Sequence, residues 1–147
     1  MHITTLSIEN TEAATQLILK LWPEADYEEE KQNCLRILDV DNEVIFLAEN
    51  EAAHFIGFIY LSLRTDYVEG TETSPVAYIE GIYVEPNFRK HGIAAKLVEK
   101  GAEWGKSRGA REYASDVELP NRASQVFHEK VGFKEVNRVV CYVKKID

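Results

Sequence analysis

Arg89-Lys90-His91-Gly92-Ile93-Ala94 is the stretch of this sequence whose residue types point most directly to chemistry. It follows an apolar run, Val76 to Val84, which Pro86 stops, and it precedes a segment of helical periodicity. A strand that turns into a helix at such a place aims unpaired backbone N–H groups outward at the positive end of a helix dipole, which suits a phosphate. Gly92 permits close approach of the backbone, and Arg89 and Lys90 add positive charge. Two carboxylates stand out nearby: Glu80 is the one charged residue in its apolar strand, and Asp116 lies near the end of the next predicted strand. Residue type alone favours an ion pair for Glu80 and a cap or turn for Asp116. It leaves the turn evenly divided between an anion site and an ordinary connection with a solvated Arg-Lys pair.

The elements that must hold these residues can be followed along the chain. His2 to Ile8 is β-prone, and Asn10 or Thr11 is placed to cap a helix with Ala13, Ala14, Leu17, Ile18, Leu21 and Trp22 on one side, closed by Pro23. A second helix is predicted over roughly 26–38, with Glu28, Glu29 and Glu30 at its start and Leu35 and Leu38 buried. Residues 44–49 and 55–63 read as an antiparallel hairpin turning at Asn50-Glu51, and 64–74 as a loop whose sizeable apolar groups are Tyr67 and Val68. After the turn, Ile93, Leu97, Val98, Ala102 and Trp104 form the inner face of a helix, and Gly101 and Gly105 imply that it lies close against a sheet. Gly109 ends that helix, 112–117 is a short strand, Pro120 and Asn121 start a helix through Val131 capped by Gly132, and 133–145 supplies one or two strands, Val139–Val143 the most strand-like. This order implies a mixed α/β fold, largely antiparallel in its first half, with one parallel crossover around residues 84 to 117.

At 147 residues and 45% apolar content the chain suits one domain with its own core, spanning 1–147. Its 17 basic and 25 acidic residues give a net charge of −8, which disfavours nucleic acid and an anionic membrane surface as partners and suits a cationic ligand. Cys34 and Cys141 have no C-x-x-C or His spacing, so they read as reduced thiols rather than a disulfide or metal site. No export signal or membrane-spanning run is evident, and a cytoplasmic location is expected. Neither G-x-G-x-x-G nor G-x-x-x-x-G-K-[ST] occurs, so nicotinamide and nucleoside triphosphate motifs are unsupported.

Arg89 to Ala94 resembles the Q/R-x-x-G-x-G/A signature of the GNAT superfamily of N-acetyltransferases, preceded as in that family by a strand ending Val84-Glu85-Pro86. Asn121, Ser124, Phe127, Gly132 and Phe133 are similar to the family's N-x-x-[AS]-x-x-[FL]-[YH]-x-x-x-G-F pattern. Tyr67-Val68, Gly70-Thr71, Thr73 to Ala77, Glu80-Gly81-Ile82, Ala114-Ser115-Asp116 and Leu21-Trp22-Pro23 resemble the aminoglycoside 6′-N-acetyltransferases. The resemblance covers nearly the whole chain and implies a GNAT fold: a mostly antiparallel sheet with flanking helices and a V-shaped cofactor cleft between the two central strands.

The same resemblance places acetyl-CoA, the acetyl donor, in that cleft, held by Ile82, Tyr83, Val84, Arg89, Lys90, His91, Gly92, Ile93, Ala94 and Asn121. It makes Trp22, Tyr67, Glu80, Asp116 and Glu135 substrate-binding, with Asp116 the favoured base, directly or through water, and Glu80 beside it. Transfer to an amine needs a neutral nitrogen, a stabilised oxyanion and a thiolate that can leave. His128 stands where the wider family usually has a tyrosine acid, so the proton for the thiolate could come from imidazole or from solvent. The implied activity is direct acetyl transfer in a ternary complex to the 6′-amino group of aminoglycosides, conferring resistance, by a homodimer that uses no metal. A polyamine or protein amine as acceptor, and a non-catalytic acyl-CoA-binding domain, are the alternatives.

Overall fold

Strand β1 (His2–Thr5) is followed by helices α1 (Thr11–Leu21) and α2 (Tyr27–Ile37) and by strands β2 (Glu43–Glu49), β3 (Phe55–Arg64) and β4 (Val76–Val84). A 3₁₀ turn at Pro86–Phe88, helix α3 (Ile93–Ser107), strand β5 (Tyr113–Ala114) and helix α4 (Arg122–Lys130) complete the order. The computed structural model describes residues 1–147. All five strands form one sheet in the order β1-β2-β3-β4-β5, antiparallel except for the parallel β4–β5 pair.

Helices cover both faces of this sheet, which is why β4 is apolar on both parities. Ile45, Leu47 and Phe58 meet Ala14, Leu17 and Ile18 of α1 on one face, while Phe46, Ile59 and Leu61 meet Leu97, Val98 and Trp104 of α3 on the other. In β4, Leu61 pairs with Ile79 and Tyr60 with Gly81, so Glu80 is the extra residue of a β-bulge. The bulge turns the carboxylate out of a strand that would otherwise bury it.

Local chemistry explains most of the element ends. Asp26 caps α2 by accepting from the Glu29 N–H at 3.0 Å, and Asn50 holds the β2–β3 hairpin by accepting from the N–H groups of Ala52 and His54. Asn10 does not cap α1 with its side chain: it accepts from the Ser7 N–H at 2.7 Å and donates to the Thr5 carbonyl, while the Thr11 hydroxyl donates to the Ser7 carbonyl. These bonds instead fold the link between β1 and α1. On α2 the buried residues are Cys34 and Ile37, with Leu35 and Leu38 half-buried, because α1 meets the stripe one residue away from the predicted one.

Gly101 and Gly105 lie against the sheet as their spacing implies, and Ala102 is exposed rather than inward. A Cβ at Gly101 would stand 2.3 Å from the Tyr113 hydroxyl, which donates to the Val98 carbonyl, and 2.8 Å from Leu61. Gly101→Val is therefore expected to destabilise the fold by about 1–3 kcal/mol, seen as a lower midpoint in urea.

Residues 133–147 contain no strand, which corrects the prediction for Val139–Val143. A strand exists only through backbone hydrogen bonds to a neighbour, and the tail beyond Phe133 makes none: it touches the loop after β3 through side chains, with Val136 beside Gly70 and Asn137 donating to Glu69. Val139, Val140, Tyr142 and Val143 are exposed there, as is Cys141, while Cys34 is buried. No helix is long and apolar enough to cross a membrane.

Candidate active site

β4 and β5 pair only at Ala77 with Tyr113 and at Tyr78 with Ala114. Beyond that point β4 runs on to Val84 while residues 115–117 leave it, so the predicted strand over 112–117 is shorter and a cleft opens between the two chain segments. Ile82 and Val84 pack toward α3 and Tyr83 toward α1, leaving their backbone along one wall.

The turn stands at the end of that wall. Lys90 and Gly92 adopt left-handed backbone angles, φ 66° and 80°, and the N–H groups of Lys90, His91, Gly92, Ile93, Ala94 and Ala95 have no acceptor within the protein. The Arg89 N–H bonds to the Pro86 carbonyl, so the free run begins one residue later than the predicted Arg89–Ala94. A Cβ at Gly92 would meet nothing within 4 Å, so the space before these groups is open. Six unpaired donors at a helix start fit the pyrophosphate of acetyl-CoA. Arg89 does not extend into that space: its Nε donates to the Val84 carbonyl at 2.7 Å, and its guanidinium lies 5.4 Å from the Tyr83 ring centroid. It clamps the turn to the end of β4. Arg89→Ala is expected to weaken CoA binding about tenfold or more by calorimetry, through loss of that clamp and of positive charge.

An acidic corner occupies the other end of the cleft. Both carboxylate oxygens of Glu80 accept from Arg64 Nη2, at 2.5 and 2.7 Å, and the Arg64 guanidinium stacks 3.5 Å over the Tyr78 ring. The Tyr78 hydroxyl donates to Asp116 Oδ2. Burial, then the Asp116 carboxylate, push the Tyr78 phenol well above its ordinary pKa, so it stays a donor. Burial opposes the charge on Arg64, but Glu80 outweighs it and raises the guanidinium pKa. Glu80 is thus in an ion pair, with an arginine of the neighbouring strand, and Asp116 is an exposed acceptor rather than a cap. Trp22 belongs to the same corner, because its ring would touch a Cβ at Gly81.

Other predicted site residues are placed elsewhere. Tyr67 is 76% exposed on the loop after β3, its hydroxyl accepting from the Gly70 N–H. Glu135 lies in the exposed tail, not on a strand, and pairs with Arg138. Asn121 caps α4 by accepting from the Ser124 N–H at 3.1 Å. His128 Nδ1 is 2.7 Å from the Ser124 carbonyl and 3.4 Å from its hydroxyl, and Nε2 is 2.8 Å from Ser115 Oγ.

The structure adds Arg64, Tyr78 and the Ser115 hydroxyl to the candidate site. Tyr78 was legible in principle, two residues from Glu80 on an alternating strand, but the bulge that fixes their relation was not. Arg64 needed the β3–β4 register.

The chain matches the sequence model of the Acetyltransferase (GNAT) family over residues 6–133. It belongs to the GNAT family. Among the relatives of this acetyltransferase are the aminoglycoside N(6′)-acetyltransferase type 1 of Acinetobacter genomosp. 13, 43% identical over 86% of each chain, and that of Serratia marcescens, 38% identical over 94% of each. AAC(6′)-Iy in complex with the bisubstrate analog CoA-S-monomethyl-acetylneamine superposes with a TM-score of 0.94, at 36% identity over 99% of this chain and 98% of that one. The apo 6′-N-acetyltransferase AAC(6′)-IG of Acinetobacter haemolyticus gives 0.92, at 35% identity over both full chains. The mixed sheet and its cleft are those of the GNAT fold.

Proposed function

We propose that this acetyltransferase moves the acetyl group of acetyl-CoA to the 6′-amino group of aminoglycosides by direct transfer in a ternary complex, and so confers resistance to them. The observation that carries this is the pairing, across one cleft, of a six-donor turn with a corner holding Glu80 and Asp116. The first suits a pyrophosphate and the second a polycation. Relatives that are 38–43% identical over most of their length bear the name of this activity. The chain acts as one domain, 1–147, in the cytoplasm, where acetyl-CoA is available.

Acetyl-CoA is a substrate here, with its pyrophosphate on the N–H groups of Lys90 to Ala95 and its pantetheine arm along Ile82 to Val84. The acceptor ammonium is drawn to Glu80 and Asp116, and Asp116, directly or through water, takes the proton that leaves the attacking nitrogen. Trp22 offers an aromatic face beside Glu80 to a sugar ring. Tyr67 closes over the acceptor from its loop, and Glu135 meets a second amine.

CoA release in the presence of tobramycin, kanamycin, spermidine and a lysine peptide tests this assignment. Transfer confined to spermidine or the peptide rejects the aminoglycoside reading, and CoA binding without transfer to any of them rejects the enzyme.

The tail is the basis for proposing a homodimer. Val140, Tyr142, Val143 and Ile146 are 76%, 92%, 99% and 94% exposed, and β5 is paired along one edge only. Pairing the tail with a second copy would give its backbone hydrogen-bond partners and bury these side chains. Removal of residues 134–147 is expected to convert a dimer to a monomer by light scattering; a full-length monomer at micromolar concentration rejects the dimer.

A further inference from the structure

Asp116 answers one of the two proton requirements of thioester aminolysis, that of the nucleophile. The other, a proton for the departing sulfur, has no group assigned to it by Glu80, Asp116, Tyr78 or Arg64, all of which lie together at the acceptor corner.

Ser115 and His128 form a hydrogen-bonded pair that the acceptor corner does not use. His128 Nδ1 lies 2.7 Å from the Ser124 backbone carbonyl, which can only accept, so Nδ1 carries a hydrogen. The Nε2 atom, 2.8 Å from Ser115 Oγ, is then either an acceptor from the hydroxyl or, in the imidazolium, a donor to it. Phe127 and Phe133 hold the imidazole at ring separations of 5.8 and 5.4 Å, and both pack toward the α3 core. The ring is fixed on α4 with one nitrogen turned to Ser115.

Position along the chain gives the pair its meaning. Ser115 is the first residue after the last β4–β5 pair, where the cleft opens, and Asp116 is the second. Successive residues of extended chain point to opposite sides. Asp116 accordingly meets Tyr78, which packs with Val68 and Val76, while Ser115 meets α4 on the α3 side. The opening therefore has a carboxylate on one side and a hydroxyl backed by imidazole on the other. Aminolysis needs a proton acceptor at the nitrogen and a proton donor at the sulfur.

We propose that Ser115 is the catalytic residue that protonates the departing CoA sulfur, with His128 as the positioning residue that supplies the proton through it. This rests on the acetyl-transfer activity proposed above. As the tetrahedral adduct collapses, the C–S bond breaks and its electron pair goes to sulfur. The Ser115 O–H proton moves to that sulfur, and Nε2–H of the imidazolium moves to Ser115 Oγ. CoA leaves as the thiol, His128 is left neutral, and solvent returns its proton. No covalent acetyl-enzyme forms, and Ser115 ends as it began.

Single-turnover acetyl transfer to tobramycin by the full-length enzyme, at saturating acetyl-CoA, tests this. Ser115→Ala is expected to slow transfer roughly 100-fold, at the low end for acid catalysis because a thiolate leaves readily. Its CoA affinity by calorimetry should match the unsubstituted enzyme, and Ser115→Thr, which keeps the hydroxyl, should restore most of the rate. His128→Gln should be slowed to a similar degree, and the double variant should be no slower than either single one, as for residues acting as a unit. A Ser115→Ala enzyme transferring at full rate overturns the proposal, as do additive losses in the double variant or an acetylated Ser115 peptide in quenched reactions. If the unsubstituted enzyme ignores tobramycin but acetylates another amine, only the acceptor assignment falls, and the same variants are compared on that amine. Transfer to no amine overturns both.

Discussion

Asp116→Ala is expected to lower kcat for tobramycin acetylation by about 100-fold to 10,000-fold, the usual cost of losing a general base, while leaving the fold intact. Asp116 is exposed and lies outside the sheet, so its loss removes no core contact and the thermal midpoint should hold. The Tyr78 hydroxyl, which donates to Oδ2, fixes one carboxylate oxygen and leaves the other for the amine. Asp116→Asn should be as slow as the alanine variant, because an amide keeps the shape but takes up no proton. Tyr78→Phe should cost much less, since it frees the carboxylate without removing it. Normal turnover in either Asp116 variant would remove this residue from the mechanism.

The turn and Glu80 stood out in the sequence for a physical reason, each being a local departure from pattern, while the part assigned to Asp116 came only with the family resemblance. A single charge in an apolar strand, and a glycine after a basic run at a strand-to-helix junction, show in the residues themselves. The Ser115–His128 contact and the Arg64–Glu80 pair join residues 13 and 16 apart, and they depend on where α4 docks and how β3 registers on β4. Composition and periodicity carry no such information. The tail failed as a strand for a related reason. Val139 to Val143 has the right residue types, but strand formation is a property of a pair, and no other strand of this chain bonds to its backbone. Gly101 and Gly105 illustrate the opposite case, in which an unfavourable residue in a helix marks a close approach to the sheet.

Glu80→Gln is expected to raise the acceptor KM about 100-fold or more, beyond what loss of one attractive charge would give. The structure holds an arginine in the acceptor corner, and Glu80 is the group that neutralises it. Without that carboxylate the Arg64 guanidinium, half-exposed and stacked on Tyr78, faces an incoming ammonium as a like charge. Such juxtapositions cost several kcal/mol, and a 100-fold change in affinity corresponds to about 2.7 kcal/mol. Adding Arg64→Ala to Glu80→Gln should therefore recover much of the acceptor affinity, although neither change restores a lost contact. Arg64→Ala alone leaves both carboxylates free to take ammonium groups, and its KM should fall or hold. Steady-state kinetics on the three variants, with acetyl-CoA saturating, separates charge from structure: if Arg64 only braces the strand, the double variant will be worse than Glu80→Gln alone. The same pair is expected to favour a polycation over a monoamine. A monoamine must displace Arg64 from Glu80 with a single charge, whereas a polycation can engage Asp116 with one ammonium while another replaces the guanidinium.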